Sequence, residues 1–246
     1  MKIEKVEGIV FQEKDYSESS KIINLITKEH GVIGVIAKGS RKPKSKFANV
    51  TSKFIYGQFH LYYKEDGLST LIEVDVIDTL RNIRLDLTKI SYLSFLCELV
   101  SQVLKQTNSE ERKVVYNDFV KAFLKINEGF NEVVITNILE LKILPYLGVN
   151  PILDECAICG TTKEIVTVNA EKYGFICKNC YKNEYIVNPN TIKILRMLYY
   201  VDIEKISKLD ISQEVINEIN QFIDQFYDKH TGLYLKSKEF LKKITK

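Results

Sequence analysis

Val32-Ile-Gly-Val-Ile-Ala37, then Lys38-Gly-Ser-Arg41-Lys-Pro-Lys44-Ser-Lys46, then Phe54-Ile-Tyr-Gly-Gln-Phe59-His-Leu-Tyr-Tyr63: this stretch decides the reading of the first third of the chain. Two runs of β-branched and aromatic residues flank a basic, proline-containing segment, the pattern of two strands joined by a long loop. Working outward, similar runs give expected strands at roughly Glu4–Gln12, Lys21–Thr27, Val32–Ala37, Phe54–Tyr63 and Ser69–Ile77. A polar Asp15–Ser20 loop, a His30-Gly31 turn, the basic segment and an Asp66-Gly67 turn separate them. Five antiparallel strands in such a length suggest a small barrel, with the OB-fold as the leading candidate.

From about Leu85 the period changes. Leu93, Leu96, Cys97, Val100, Val103 and Leu104 recur at helical spacing, as do Val115, Phe119, Ala122, Phe123 and Ile126. Asn131 and Glu132 open a third helix that runs through Leu139 to Leu144. There Pro145 kinks or ends it, because proline lacks the needed N–H and clashes with the preceding turn. A non-helical insert follows from Cys156 to about Tyr185, after which helical spacing returns in Ile192, Leu195, Leu198 and Tyr199, then in Val215, Ile219, Phe222, Ile223 and Phe226. The predicted class is α+β: an N-terminal OB-fold β-barrel over residues 1–80, then an all-helical domain over 81–246 with a zinc ribbon inserted at about 154–185. With no internal repeat, low-complexity tract or obvious flexible linker, the boundary near Thr79–Leu85 is expected to be tight.

The apolar fraction of 45% over 246 residues suits a globular chain with a real core rather than a disordered one. Charges interrupt every apolar run of Met-Lys-Ile-Glu-Lys-Val-Glu at the start, so there is no signal-peptide core, and no stretch is apolar enough to span a bilayer. A soluble cytoplasmic protein with no membrane partner is the expectation. The net charge of +3 is too small to announce a nucleic-acid binder by itself. Its distribution says more. No acid lies between Glu29 and Glu65, while Lys38, Arg41, Lys42, Lys44, Lys46, Lys53 and Lys64 all fall inside. Lysine far outnumbers arginine, which favours point-charge contacts to phosphates over bidentate reading of guanine and predicts weak sequence preference.

Cys156-Ala-Ile-Cys159 and Cys177-Lys-Asn-Cys180 give a C-x2-C-x17-C-x2-C pattern. That spacing suits a tetrahedral zinc site of four thiolates, since two intervening residues let both ligands of a pair reach one metal from a single turn. Ile165–Val168 and Tyr173–Ile176 read as the short strands of a ribbon, and Gly160 suits the tight reversal. The competing readings are two disulfides, disfavoured in a reducing compartment, or four buried cysteines that bind nothing. A catalytic zinc needs an open coordination position, which four thiolates do not leave, so a structural Zn2+ is expected. Cys97, among leucines on a helix face, reads as a small buried hydrophobe.

The basic loop adjoins a strand carrying Phe54, Tyr56, Phe59, Tyr62 and Tyr63, so charge sits beside aromatic surface. A single-strand binder needs cations to track phosphates and rings on which bases stack. The plainer reading is a solvated loop and core rings, and alternation sends about half of the rings inward whatever the function. Lys236, Lys238, Lys242 and Lys243 form a weaker second patch, most simply a solvated helix face. His30, His60 and His230 have no cysteine or carboxylate neighbour at catalytic spacing and read as structural. With no phosphate-binding loop, His-Glu-x-x-His, nucleophile elbow or kinase signature, no catalytic residue is assigned and the chain is not read as an enzyme. A zinc-ribbon RNA-binding or transcription-associated module stays open as an alternative, since an OB-fold with zinc serves RNA equally well.

Three segments resemble the bacterial RecO recombination mediators. The first is Gly8-Ile-Val with Asp15-Tyr-Ser-Glu-Ser, Thr27-Lys-Glu-His-Gly31 and Ala37-Lys-Gly-Ser-Arg41-Lys-Pro-Lys-Ser45. The second is Leu139-Glu-Leu-Lys-Ile-Leu-Pro-Tyr-Leu-Gly148 with Pro151 and Cys156-Ala-Ile-Cys-Gly160, and the third is His230-Thr-Gly-Leu-Tyr-Leu-Lys-Ser237. The resemblance implies an OB-fold, a helical domain and a zinc ribbon. It also implies a DNA-repair and recombination function: binding of single- and double-stranded DNA, annealing of complementary strands, contact with the acidic C-terminal tail of single-strand-binding protein, and loading of RecA together with RecR. Carried over by position, Lys38, Arg41, Lys42, Lys44 and Lys46 contact DNA, and Cys156, Cys159, Cys177 and Cys180 hold zinc. Nucleoid association in the cytoplasm follows from the same resemblance.

Overall fold

The first strand, β1 (Lys2–Asp15), is long because it serves two neighbours in a computed structural model that describes residues 2–244. It pairs antiparallel through Lys2–Ile9 with β4 (Tyr56–Tyr63) and through Gly8–Asp15 with β2 (Lys21–Thr27). A bulge between Val10 and Gln12 bends the strand where it changes partner. Gly8 sits at this handover, and a Cβ there would lie 2.9 Å from the Ile26 carbonyl oxygen, so only a bare backbone fits. β2 pairs antiparallel with β3 (Gly31–Ala37), and β4 pairs antiparallel with β5 (Ser69–Asp78).

Closure comes from β3 and β5, which run parallel through Val35 opposite Ser69 and Ile36 opposite Thr70. The barrel order β1-β2-β3-β5-β4 is that of an OB-fold. The wholly antiparallel sheet expected from the sequence is thus corrected at one pairing. The long loop after β3 lets β4 pair with β1 rather than with β3, and β5 then returns beside β3 in the same direction. Alternate residues point inward, and Val6, Ile23, Leu25, Val35, Phe59 and Leu61 fill the interior.

Packing groups the chain into two compact units, Met1–Asn127 with Ser237–Lys246, and Glu128–Lys236. In the first, α1 (Arg81–Arg84), α2 (Leu87–Val103) and α3 (Ser109–Glu128) join the barrel, with the C-terminal α7 (Lys236–Ile244). Asp86 caps α2 by accepting the Thr88 and Lys89 N–H groups. Asn108 and Glu111 form a reciprocal box before α3, with the Asn108 side chain accepting from the Glu111 N–H and the Glu111 carboxylate from the Asn108 N–H. Phe54 meets Phe123 edge-on at 6.0 Å between centroids, and Arg112 Nη1 donates to the Glu29 carbonyl at 2.9 Å. Secondary structure changes near residue 80, and residues 81–127 group with the barrel in the first unit. The outer ends of the expected ranges, residues 1 and 245–246, lie outside the described residues.

The second unit holds α4 (Glu132–Ile143), α5 (Pro189–Tyr200), α6 (Gln213–His230) and a two-stranded ribbon of β6 (Ile165–Asn169) and β7 (Gly174–Cys177). α4, α5 and α6 pack against one another, and α5 also packs on β6. Pro145 stands in a 3-10 turn, Leu144–Leu147, that ends the third expected helix as its chemistry requires, and Gly148 leaves it at φ 74°. The ribbon is tied down where Ile152 and Gly174 run side by side, the Phe175 N–H donating to the Ile152 carbonyl at 3.0 Å. A Cβ on Gly174 would fall 2.0 Å from that oxygen. Gly174→Ala should therefore destabilise this unit by at least about 1–3 kcal/mol, the usual cost of overpacking, seen as a lower melting temperature with the barrel's amide protection unchanged. No helix among the described residues is long and apolar enough to cross a membrane.

Candidate functional site

The loop between β3 and β4 is anchored by its apolar residues and leaves its cations outside. Phe47 and Ile55 pack against the barrel interior, and Thr51 Oγ1 donates to the Phe47 carbonyl at 2.7 Å, folding the loop into consecutive turns. Lys38, Arg41, Lys42, Lys44 and Lys46 are all exposed. Lys44 takes φ 62° and Gly39 φ 69°, left-handed positions that turn the loop sharply. Lys46 Nζ lies 5.1 Å from the Phe47 ring centroid, which pairs a cation with an aromatic face.

Other cations of the acid-free segment behave differently. Lys53 turns inward, its Nζ donating to Ser94 Oγ at 2.7 Å, and burial pushes its pKa below the ordinary lysine value. Arg41 is exposed yet engaged: Nη1 donates to the Ser17 carbonyl at 2.8 Å, and Nη2 lies 3.2 Å from Asp15 Oδ2.

The aromatic residues here do not divide by simple alternation: Tyr56 and Tyr62 share a parity, yet the first is buried and the second exposed, and the register shifts between Tyr56 and Gly57. Phe54, Tyr56 and Phe59 are buried, whereas Tyr62 is exposed and Tyr63 stacks on His30 with ring centroids 4.2 Å apart. Phe54 precedes β4 at φ 70° rather than belonging to it, which turns its ring towards Phe123. Tyr16, to which periodicity assigns no role, is 58% exposed at the β1–β2 turn. In the sequence it shows as an aromatic residue inside an otherwise polar turn and as part of the Asp15-Tyr-Ser-Glu-Ser segment.

Two histidines do find carboxylates. His30 Nε2 lies 2.9 Å from Glu4 Oε2 and His60 Nε2 lies 2.9 Å from Asp75 Oδ2, pairs that strand register creates and local spacing does not reveal. His230 instead meets the Ala170 carbonyl at 2.7 Å. Cys97 is buried as expected, and burial pushes its thiol up to about 12, out of reach of thiolate chemistry at neutral pH. In the second basic patch, Lys238 Nζ lies 5.5 Å from the Phe95 ring centroid.

In the second unit, Cys156, Cys159, Cys177 and Cys180 converge, with their Sγ atoms all within 4.8 Å of one another. The first pair is shaped by a turn in which the Gly160 N–H donates to the Cys156 carbonyl at 2.9 Å, and Gly160 follows at φ 73°. The second pair starts at the end of β7, where the Tyr181 N–H donates to the Cys177 carbonyl at 2.9 Å. Cys159 Sγ and Cys177 Sγ lie 3.7 Å apart, far beyond a disulfide bond of about 2.05 Å. They are close to the edge of about 3.8 Å expected for sulfurs placed tetrahedrally at about 2.3 Å from one zinc.

The electrostatics suit a cation as well. Burial raises the Cys156 thiol, but the backbone N–H groups of Cys177, Cys159 and Ile158 outweigh it and bring it down to about 6. Cys180 is held protonated up to about 12 by hydrogen bonding to Cys159 and by its other sulfur neighbours. Thiolates gathered this closely repel until a metal ion compensates them. The four residues can therefore hold a metal ion, and they leave no ligand position open.

Comparisons with known proteins cover almost the whole chain. A family model described as "Recombination protein O N terminal" matches residues 1–80, and one described as "Recombination protein O C terminal" matches residues 84–239. The DNA repair protein RecO of Bacillus velezensis is 38% identical over 243 residues, covering 96% of this chain and 93% of that protein. The DNA repair protein RecO of Bacillus subtilis (strain 168) is 36% identical over 243 residues with the same coverage. That of Listeria monocytogenes serotype 4a is 35% identical over 247 residues, covering 99% of this chain and 96% of that protein.

Proposed function

Because the chain belongs to the recombination protein O family of DNA repair proteins, we propose that it is a recombination mediator that works by electrostatics and stacking, without covalent chemistry. It binds single- and double-stranded DNA through the 1–80 barrel, with Lys38, Arg41, Lys42, Lys44 and Lys46 facing phosphates. It anneals complementary strands and, together with RecR, helps load RecA onto DNA coated by single-strand-binding protein, whose acidic C-terminal tail it contacts. Its place is the cytoplasm, on the nucleoid.

The observation that carries this reading is the loop itself. Five exposed cations project from an OB-fold barrel on a loop held in place by its own apolar residues. Cations so placed screen the repulsion between two phosphate backbones, and screening together with accessible bases is what annealing needs. Cys156, Cys159, Cys177 and Cys180 hold a structural Zn2+, a soft thiolate set matching that ion's preference for sulfur. Bound there, zinc cross-links the two ends of the ribbon and supplies no reaction step.

The test combines strand annealing, competition between DNA and RNA of equal length, and retention of RecR and of an acidic tail peptide. Accelerated annealing, at least equal affinity for DNA and retention of both partners are expected. Preference for RNA with no annealing would favour an RNA-binding module. Loss of both partners with DNA binding intact would remove the mediator role.

A further inference from the structure

The β1–β2 turn and the basic loop are locked together by hydrogen bonds. The Arg41 N–H donates to the Ser19 carbonyl at 3.0 Å, the Gly39 N–H to Ser20 Oγ at 3.3 Å, and Arg41 Nη1 to the Ser17 carbonyl at 2.8 Å. Arg41 Nη2 pairs with Asp15 at 3.2 Å. Tyr16 is the residue between the two that the guanidinium grips. The turn is also closed on itself, the Tyr16 N–H donating to the Ser20 carbonyl at 3.0 Å. Tyr16 is 58% exposed, while Phe54, Tyr56 and Phe59 of the neighbouring barrel are buried. Tyr62, the other exposed ring of the aromatic strand, instead faces Ile3 across the β1–β4 ladder.

An exposed ring on a loose turn is a poor platform, because ordering it on binding offsets much of the stacking gain. Here the backbone on both sides of the ring is already fixed. Asp15, next to Tyr16 in the chain, is compensated by Arg41, and the turn's other acid, the exposed Glu18, is outweighed by the four cations Lys38, Lys42, Lys44 and Lys46. The β1–β2 loop is also one of the loops through which OB-folds bind oligonucleotides.

We infer that Tyr16 is the stacking platform for an unpaired base and that Arg41 is the positioning residue that holds this platform beside the phosphate-binding lysines. The inference rests on the DNA-binding reading above and adds to it a subsite for the base. Arg41 then has two roles, its charge and its forked grip, and lysine can supply only the first.

The test is the affinity of the full-length protein for a single-stranded oligonucleotide and for a duplex, measured by anisotropy across a salt series. Tyr16→Ala should weaken single-strand binding by roughly 5- to 150-fold, the range for losing one stacked base. The salt slope should not change, because no cation is lost, and duplex binding should hold, because its bases are already stacked on each other. Tyr16→Phe should restore single-strand affinity. Arg41→Lys should keep the salt slope and still lose part of the single-strand affinity. The chain contains no tryptophan, so Tyr16→Trp installs a sole indole whose emission should be quenched when the oligonucleotide saturates it. Unchanged single-strand affinity in Tyr16→Ala, equal losses on single strand and duplex, or unquenched indole at saturation would each overturn the platform. If the unsubstituted protein bound neither DNA, the DNA-binding reading itself would fail first.

Discussion

Removing the metal from the four-cysteine centre is expected to unfold the ribbon at about 154–185 while the barrel stays folded. β6 and β7 lean on α5 and on the Ile152 strand segment, but the cysteine end of the ribbon has only a two-stranded sheet behind it, and a hairpin by itself is at best marginal in water. Besides Cys156 and Cys177, the ribbon's buried apolar residues are few: Leu153, Ala170, Phe175 and Ile176. Against that, a structural zinc binds with about 10–16 kcal/mol of apparent free energy at neutral pH, as much as the whole stability of an ordinary domain. The four sulfurs within 4.8 Å are joined through the cation, and once it leaves, protons take its place on the thiolates and that cross-link is gone. Chelation, or Cys177→Ser at a buried ligand, should raise hydrogen exchange of the Cys156–Cys180 amides to the rate of unstructured peptide. Barrel amides, which belong to the other compact unit, should keep their protection. Acid should release the ion as well, because protons compete for the same thiolates. Full ribbon protection after stoichiometric metal loss would show that packing alone suffices.

The second large effect is on DNA. Replacing Lys38, Lys42, Lys44 and Lys46 together by glutamate should reduce single-strand affinity by more than about a hundredfold near 50 mM salt, since each change removes a phosphate partner and adds a repulsive charge. The fold should not notice. All four side chains are exposed and the loop's apolar anchors, Phe47 and Ile55, are not substituted, so stability should move by no more than about 0.5 kcal/mol per substitution. Binding measured beside a thermal melt separates lost contacts from a lost fold.

The legible parts of this molecule are those with local causes. β2 occupies Lys21–Thr27, the bounds its residue pattern predicts, because a β-branched run between a polar loop and a His-Gly turn is written directly into the sequence. The basic loop shows itself by the missing acids, the metal centre by its paired cysteine spacing, and the end of α4 by Pro145. What stayed hidden depends on partners distant along the chain. The parallel pairing of β3 with β5 follows from which strands become neighbours, and no single strand's pattern encodes that. A helix that covers a barrel shows the same 3.6-residue period as one that packs on other helices, so the placement of α2 and α3 was not readable. His30 meets Glu4, and Arg41 meets Asp15 and Ser17, across about two dozen residues of sequence. For the same reason the exposure of Tyr16 beside the cationic loop had to come from the fold.

The most direct test of the central claim is the dependence of single-strand affinity on salt, measured on the unsubstituted protein and on single lysine-to-glutamine variants of the basic loop. Five cations on single-strand phosphates predict a log–log slope of about −3.5, a loss of roughly a hundredfold between about 50 and 200 mM salt, and each variant should flatten that slope by about 0.7. A slope that no loop substitution alters would mean that the phosphates bind elsewhere, contradicting the assignment of the barrel loop as the DNA-binding surface.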